Sequence, residues 1–416
     1  MQSSLIILYS IPAFAVLMAI ELAYGIFRGS NTYRLNDTFC SLTLGLLSRF
    51  PPVFKLGVSG MVYAGAANLF GIDGLAKDAW STWVLAFLLY DFSYYWKHRL
   101  CHERTLLWAS HVVHHQSEDY NLGTALRQTG SSFIVSWIFY IPMFLVGVPI
   151  EVFVPVAGVN LVYQFWVHTE HIGSLGLLDR IMVTPSNHRV HHARNAEYID
   201  ANYGGVFIIW DRIFGTFRAE RSDLPPEYGT RTPLRSWNPL WANLEIYWRM
   251  LRDSWYTKNW RDKCQVWISR TGWRPDDVAA QFAKPESSTA NYLKYHTNTS
   301  LGYQVFAVVQ FLMCALVTLW VVLYLPQQSI YESVVMMLLV VVSAALTAEI
   351  LKGNSLWIWL EVARSLAVLT VILVLRTRGL DFPVGQFLAL HAVFNLLVIA
   401  LIWAHGRFYL WPLKPN

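Results

Sequence analysis

Charge is scarce in this chain. Asp, Glu, Lys and Arg make up 14% of its 416 residues, against roughly a quarter in an ordinary soluble domain. So thin a supply cannot coat a soluble protein of this size, and the mean hydropathy is +0.35. The chain reads as a membrane protein, and its 19 Trp and 21 Tyr suit the aromatic belts of the two lipid–water interfaces. Cysteine is scarce too. Cys40, Cys101, Cys264 and Cys314 form no CxxC pair, which argues against a disulfide framework and against a thiolate metal site. The formal charge of +5 comes without a long basic run. That argues against a nucleic-acid partner and fits anionic lipid headgroups. The opening "MQSSLIILYSIPAFAVLMAIELAYGIF" lacks a basic n-region, and its apolar stretch is too long for a signal peptide. It is expected to be a retained first membrane helix.

About 20 apolar residues span a bilayer as a helix. Apolar stretches at 4–26, 56–72, 80–97, 131–148, 150–168, 302–325, 331–350, 355–375 and 384–404 predict an all-α polytopic bundle of eight to nine spans. "LTLGLLSRFPPVFKLG", with Arg49, Lys55 and the Pro51-Pro52 break, reads as a short or re-entrant segment. Residues 170–295 are polar and read as one cap on one membrane face. If that face is cytoplasmic, Arg28 and Arg34 lie inside and the loop "LPQQSIY", which has no basic residue, lies outside, as the positive-inside rule prefers. Arg376 and Arg378 fall on the wrong side of that count. The expected organisation is N-terminal membrane helices over 1–79, a catalytic region over 80–217, a cytoplasmic extension over 218–300 and C-terminal membrane helices over 301–416.

What the chain does hold is histidine, and it is unevenly spread. Ten of the 13 fall between positions 98 and 192. His98 and His102 are four apart on one helical face. "HVVHH" places His111, His114 and His115 at i, i+3 and i+4, and "NHRVHH" repeats this with His188, His191 and His192. "WVHTEHIG" adds His168 and His171. Ten imidazoles exceed what one ion takes and suffice for two, so a dimetal site in a histidine-rich cytoplasmic cap is expected. Imidazole suits Fe, Zn, Cu or Ni, and the lack of thiolates argues against an iron–sulfur cluster. A lone HxxxH is weak evidence; HxxxH, HxxHH and HxxHH in order, all on one face, is strong. His296, His391 and His405 have no such neighbours and read as interface or packing residues.

Glu103, Glu118, Asp119 and Glu170 lie beside the histidines. They are candidates to take the second ring N–H of a metal-bound imidazole, or they are solvated interface charges. Asp91, two turns before His98, is costly inside a span and is either functional or the partner of a structural arginine. Asn121, Arg127 and Asn202 flank the boxes and could position a substrate or cofactor, or cap loops. "NYGGVFIIWDRIFGTF" reads as a lid over the site or as core packing of the cap.

"HRLCH", "HVVHH" and "NHRVHH" resemble the histidine boxes of the fatty acid hydroxylase / sterol desaturase superfamily. Longer strings over roughly 80–217, among them "HVVHHQSEDYNLGTALRQT", "YQFWVHTE" and "TPSNHRVHHARN", resemble its alkylglycerol monooxygenase branch. The resemblance implies two irons held by His98, His102, His111, His114, His115, His188, His191 and His192, with His168 matching a further family histidine and His171 matching less regularly; purified protein could carry zinc. It implies a monooxygenase that uses O2 and tetrahydrobiopterin to hydroxylate the ether-bearing carbon of an alkylglycerol, giving a fatty aldehyde and a glycerol derivative. A lipid bilayer, an ether-lipid or other long-chain substrate, and a reductase or pterin-recycling partner are the implied partners. The implied compartment is the ER membrane or a bacterial inner membrane. Two alternatives stand beside this. One is a sterol or fatty-acyl hydroxylase or desaturase with another electron donor. The other is a membrane metal-binding or transport protein, which would spread histidines through several spans rather than gather them at one end.

Overall fold

Runs rich in Leu, Ile, Val and Ala form the long helices, two of which continue past an interior proline, Pro12 and Pro155. In the computed structural model, which describes residues 2–50, 63, 65, 74–283, 292–324, 330–354, 356–379 and 385–405, the chain is helical with isolated bridges and no strand among the described residues. The principal helices are α1 (Gln2–Arg28), α2 (Leu35–Leu47), α3 (Trp80–Glu103), α4 (Val112–His115), α5 (Leu122–Ala125), α6 (Ile150–Trp166), α7 (Pro185–His192), α8 (Pro239–Tyr256), α9 (Trp260–Ile268), α10 (Leu301–Tyr324), α11 (Ile330–Leu351), α12 (Leu356–Thr377) and α13 (Gly385–His405).

Among the described residues four helices are long and apolar enough to cross a membrane: Tyr9–Arg28 within α1, then α10, Tyr331–Leu351 within α11, and α12. This is fewer than the eight to nine expected. α6, and Gly385–Leu401 within α13, are apolar but shorter. The expected span 56–72 lies outside the described residues. The expected span 131–148 is not one helix. It folds as 3-10 turns Ser132–Ile134 and Ser136–Tyr140 followed by the helix Ile141–Leu145. Pro142 lies in the first turn of that last helix, where its missing N–H does no harm. α3 is a full 24 residues, but Asp91, Lys97, His98 and Arg99 make its second half polar.

The chain divides into two compact units, residues 1–235 with 240–295 and residues 236–239 with 296–416. In the first, α6 packs between α1 and α3, and α5 rests on α1, α2 and α6. Phe14 of α1 stacks on Phe165 of α6. A core of Ala86, Tyr140, Met143, Phe144, Val152 and Val156 fills the space under α3. In the second unit α10 pairs with α11, α11 with α12, and α12 with α13. The histidine boxes all belong to the first unit.

Candidate metal centre

The three boxes arrive at one place from different elements. The C-terminal end of α3 carries His98 and His102. His111 precedes α4, which carries His114 and His115. His168 follows α6 directly. His188, His191 and His192 lie on α7, an eight-residue helix opened by Pro185. Nine histidines form two groups, in each of which the candidate ligand atoms all lie within 4.8 Å of one another. One group is His98, His102, His111, His115 and His191; the other is His114, His168, His188 and His192. All are buried except His111, which is half-buried.

The grouping gives the HxxHH spacing a physical meaning. On a helical turn, i and i+4 stack one above the other, and these pairs stay together: His111 with His115, and His188 with His192. The residue at i+3 is turned aside and joins the other group: His114 in the first box, His191 in the second. Each HxxHH box therefore serves both groups, while His98 and His102 belong to one. The groups adjoin, with the rings of His115 and His192 stacked at 4.3 Å.

On four of the rings the nitrogen on the far side is held by a backbone carbonyl. His98 Nδ1 donates to Tyr203 O at 2.8 Å, His114 Nδ1 to Arg127 O at 3.0 Å, His168 Nδ1 to Gln164 O at 2.7 Å and His191 Nδ1 to Ala201 O at 2.9 Å. Each bond places the proton on Nδ1 and leaves Nε2 with an inward lone pair. The consequence is plain at His114 and His168. Both Nε2 atoms are then acceptors, yet they face each other at 3.2 Å. Two lone pairs at that distance repel unless a cation accepts both. Burial rules out an easy proton: it holds His114 down to about 4 and His191 down to about 3. Other Nε2 pairs lie 3.0–3.2 Å apart: His98 with His111, His111 with His115, His168 with His188, and His188 with His192. Neighbouring imidazoles bound at about 2.1 Å to one ion have roughly this spacing. His102 Nε2 and His191 Nε2 are buried without any hydrogen-bond partner. The donor set and its geometry fit two metal ions.

His171 is not part of either group. Its ring meets Tyr24 edge-on, one short turn beyond His168. The carboxylates expected behind the histidines are also elsewhere. Asp91 is fully buried, but it accepts from the backbone N–H groups of Val206 and Phe207, from Trp210 Nε1 and from Asn160 Nδ2. It has neither a histidine nor an arginine partner; it pins the segment 203–217. Gly205 is required there, since a Cβ would stand 2.8 Å from Asp91 Oδ1. Glu103 pairs with Arg99. Glu118 accepts from Tyr292 and from the N–H of Tyr295, and Asp119 pairs with Arg34 and Lys294. Glu170 is exposed.

Asn121, Arg127 and Asn202 are likewise committed. Asn121 caps α5 and donates to Thr32 O. Arg127 donates to Val113 O and lies 3.6 Å from the Asp37 carboxylate, while its own carbonyl holds His114. Asn202 sits at φ +58° and Asp200 at +60°. These left-handed residues flank Ala201 and turn the strap 200–203 so that two of its carbonyls meet His191 and His98. Asn202 fastens the strap to Asn187 O and to Arg218. Two carboxylates that sequence reasoning passed over also support the loops: Asp37, and Glu21 of α1, which accepts from Leu122 N and Thr169 Oγ1.

One face of the centre opens to a cavity of about 370 Å³. His102, His115, His191 and His192 form its floor. Trp108, Ile246, Met250 and Trp273 supply apolar wall, and Arg194, Glu245, Arg249 and Asp253 supply charge.

Residues 83–216 match the fatty acid hydroxylase family model. The chain is 40% identical over 303 residues to alkylglycerol monooxygenase of Homo sapiens, covering 72% of this chain and 67% of that one. It is 38% identical to the Xenopus tropicalis protein of that name, over 72% and 67% of the two chains. It is 34% identical over 398 residues to the Danio rerio one, covering 94% and 87%. No solved structure matches the chain.

Proposed function

The chain belongs to the fatty acid hydroxylase family, in its alkylglycerol monooxygenase branch, and from that premise we propose that it oxidises the ether-bearing carbon of alkylglycerol lipids at a di-iron centre, with tetrahydrobiopterin as reductant. The observation that carries the metal part is the His114–His168 pair: two buried imidazoles, each with its proton fixed on the outer nitrogen, meeting through their lone pairs at 3.2 Å.

The reaction balances as R–CH2–O–R′ with O2, two electrons and two protons, giving R–CH(OH)–O–R′ and water. The hemiacetal then breaks its C–O bond to release R–CHO and HO–R′. The irons, when bound, supply the dioxygen chemistry. The protein's part is position and exclusion. Carbonyls of Tyr203, Arg127, Gln164 and Ala201 hold four imidazoles in one tautomer and one orientation, so the oxidant is aimed at a single C–H bond. Burial keeps the ligands neutral and water sparse. The 370 Å³ cavity offers arginine and carboxylate side chains to a hydroxyl-bearing head beside the histidine floor, and apolar helices of the first unit accept the alkyl chain. The lipid bilayer is the source of substrate, in an ER or bacterial inner membrane, and a reductase or a pterin-recycling enzyme renews the donor.

The test is anaerobic loading of the purified full chain with ferrous iron, then mixing with an alkylglycerol, tetrahydrobiopterin and oxygen. Pterin-dependent fatty aldehyde is the expected product. Bound iron without aldehyde would discard this substrate or donor.

A further inference from the structure

α8 and α9 have two faces of opposite character. Leu244, Trp248, Leu251 and Trp255 follow one another at steps of four, three and four along α8, and all are exposed, Trp255 to 80%. On α9, Trp260, Cys264 and Ile268 fall every fourth residue and are exposed as well, Trp260 also to 80%. The opposite face of α8 is Ala242, Glu245, Met250 and Asp253, all buried. Glu245, Ile246, Arg249, Met250 and Asp253 line the cavity over the histidines.

Both ends of this pair are tied to points where apolar segments meet polar chain. Asn243 accepts from the N–H of Gly130, and Tyr247 bonds Ser131, at the start of the apolar stretch whose Ile134 and Ile138 are exposed. Ser269 and Arg270 bridge to Arg104 and Thr105, directly after α3. The other end of α3 presents Trp80, Trp83, Val84, Leu85 and Leu88 outward. A stripe at that level, rich in Trp and flanked by Lys258, Arg261 and Lys263, has the composition of helices that lie in the lipid headgroup layer. Lys263 sits over the Trp260 ring, and its ammonium donates to the Ser254 and Trp255 carbonyls, fastening α9 to the end of α8.

We propose that α8 and α9 lie half-sunk in the headgroup layer of the membrane, with the Trp248–Trp255 and Trp260–Ile268 faces in lipid. This goes beyond the catalytic reading and adds a membrane contact to the cytoplasmic extension expected over 218–300. It makes α8 the wall between the lipid surface and the cavity, so a headgroup reaches the histidines without crossing water.

The test needs no catalysis. Cys264 is the one exposed cysteine among the described residues, so the unaltered full chain in phosphatidylcholine–phosphatidylglycerol vesicles is labelled there with a nitrobenzoxadiazole fluorophore. A second sample carries the label at Trp255→Cys in a Cys264→Ser chain, and a third at Asp223→Cys in the same background. Doxyl-lipid and aqueous iodide are the quenchers. Labels at 264 and 255 are expected to be quenched by shallow doxyl lipid roughly threefold more than the label at 223, and less by iodide. Iodide quenching equal to that at 223, without lipid quenching, would overturn the proposal. Shielding from both quenchers would also overturn it, by showing protein over this face. Failure of aldehyde formation leaves the depth result untouched, and the reverse holds too.

Discussion

Two of the buried polar clusters among the described residues are built on opposite rules. In the second unit, Arg364 bonds Glu361 through two nitrogens and also bonds Ser343 and Gln310; Asn395 donates to Glu361. His391 meets Gln310 and Asn395. One cation faces one anion and the amides close the ring, so the cluster satisfies itself within apolar helices. The histidine centre of the first unit does the reverse. The outward nitrogens of His98, His114, His168 and His191 are satisfied by carbonyls, while the inward nitrogens of the centre meet only one another or nothing. A self-contained polar cluster joins helices. A cluster in which four rings are fixed with their lone pairs turned inward is made to receive cations.

Paired substitutions break the comparison hardest. His188→Ala should cut activity by about 100-fold or more and release about one metal ion per chain, because ligands of a shared site fail together. His391→Ala should leave metal content at the wild-type level. Elemental analysis of the two variants separates them. Next in size, Arg364→Ala leaves Glu361 buried and unpaired, at a cost of about 3–5 kcal/mol. Arg364→Met with Glu361→Leu should recover most of it, read as the thermal midpoint in detergent, with the metal retained throughout.

A smaller effect tests the strap. Asn202→Ala removes three hydrogen bonds and disfavours the left-handed turn, loosening the carbonyls that hold His98 and His191. Metal affinity should fall about tenfold, measured by competition with a chelator. The mildest test is pH. His114 and His191 are held at about 4 and about 3 against about 6.5 unfolded. Between pH 6.5 and 4 the unfolded chain binds protons that the folded chain refuses, so stability falls as pH falls through that window and is complete above it. Metal-free protein should show this acid loss in its melting temperature, and metal-loaded protein should show less of it.

Much of this site was legible because its spacing is local. HxxxH and HxxHH need only a helical turn to gather their imidazoles, and His168 follows an apolar helix directly. The division into two groups was not legible, since it depends on how α7 docks against α3 and α4. His171 shares the stretch "WVHTEHIG" with His168 and is the weaker match of the two, and the intervening turn carries it to Tyr24. The carboxylates misled for a simple reason: the partners of the outer nitrogens are backbone carbonyls, which have no residue identity to read. Glu21 did leave a signal, as the lone carboxylate in the apolar stretch 4–26, where a charge is costly. The C-terminal helices followed from length and hydropathy; 131–148 did not, because its first half folds as 3-10 turns before the helix that Pro142 opens.

The metal count tests the central claim most directly. The full chain, purified and loaded anaerobically with ferrous iron, should hold two irons after desalting, and His114→Ala, which removes one of four ligands from the smaller group, should hold about one. Fewer than one iron in the unaltered chain, or two irons undisturbed in the variant, would contradict the two-group centre.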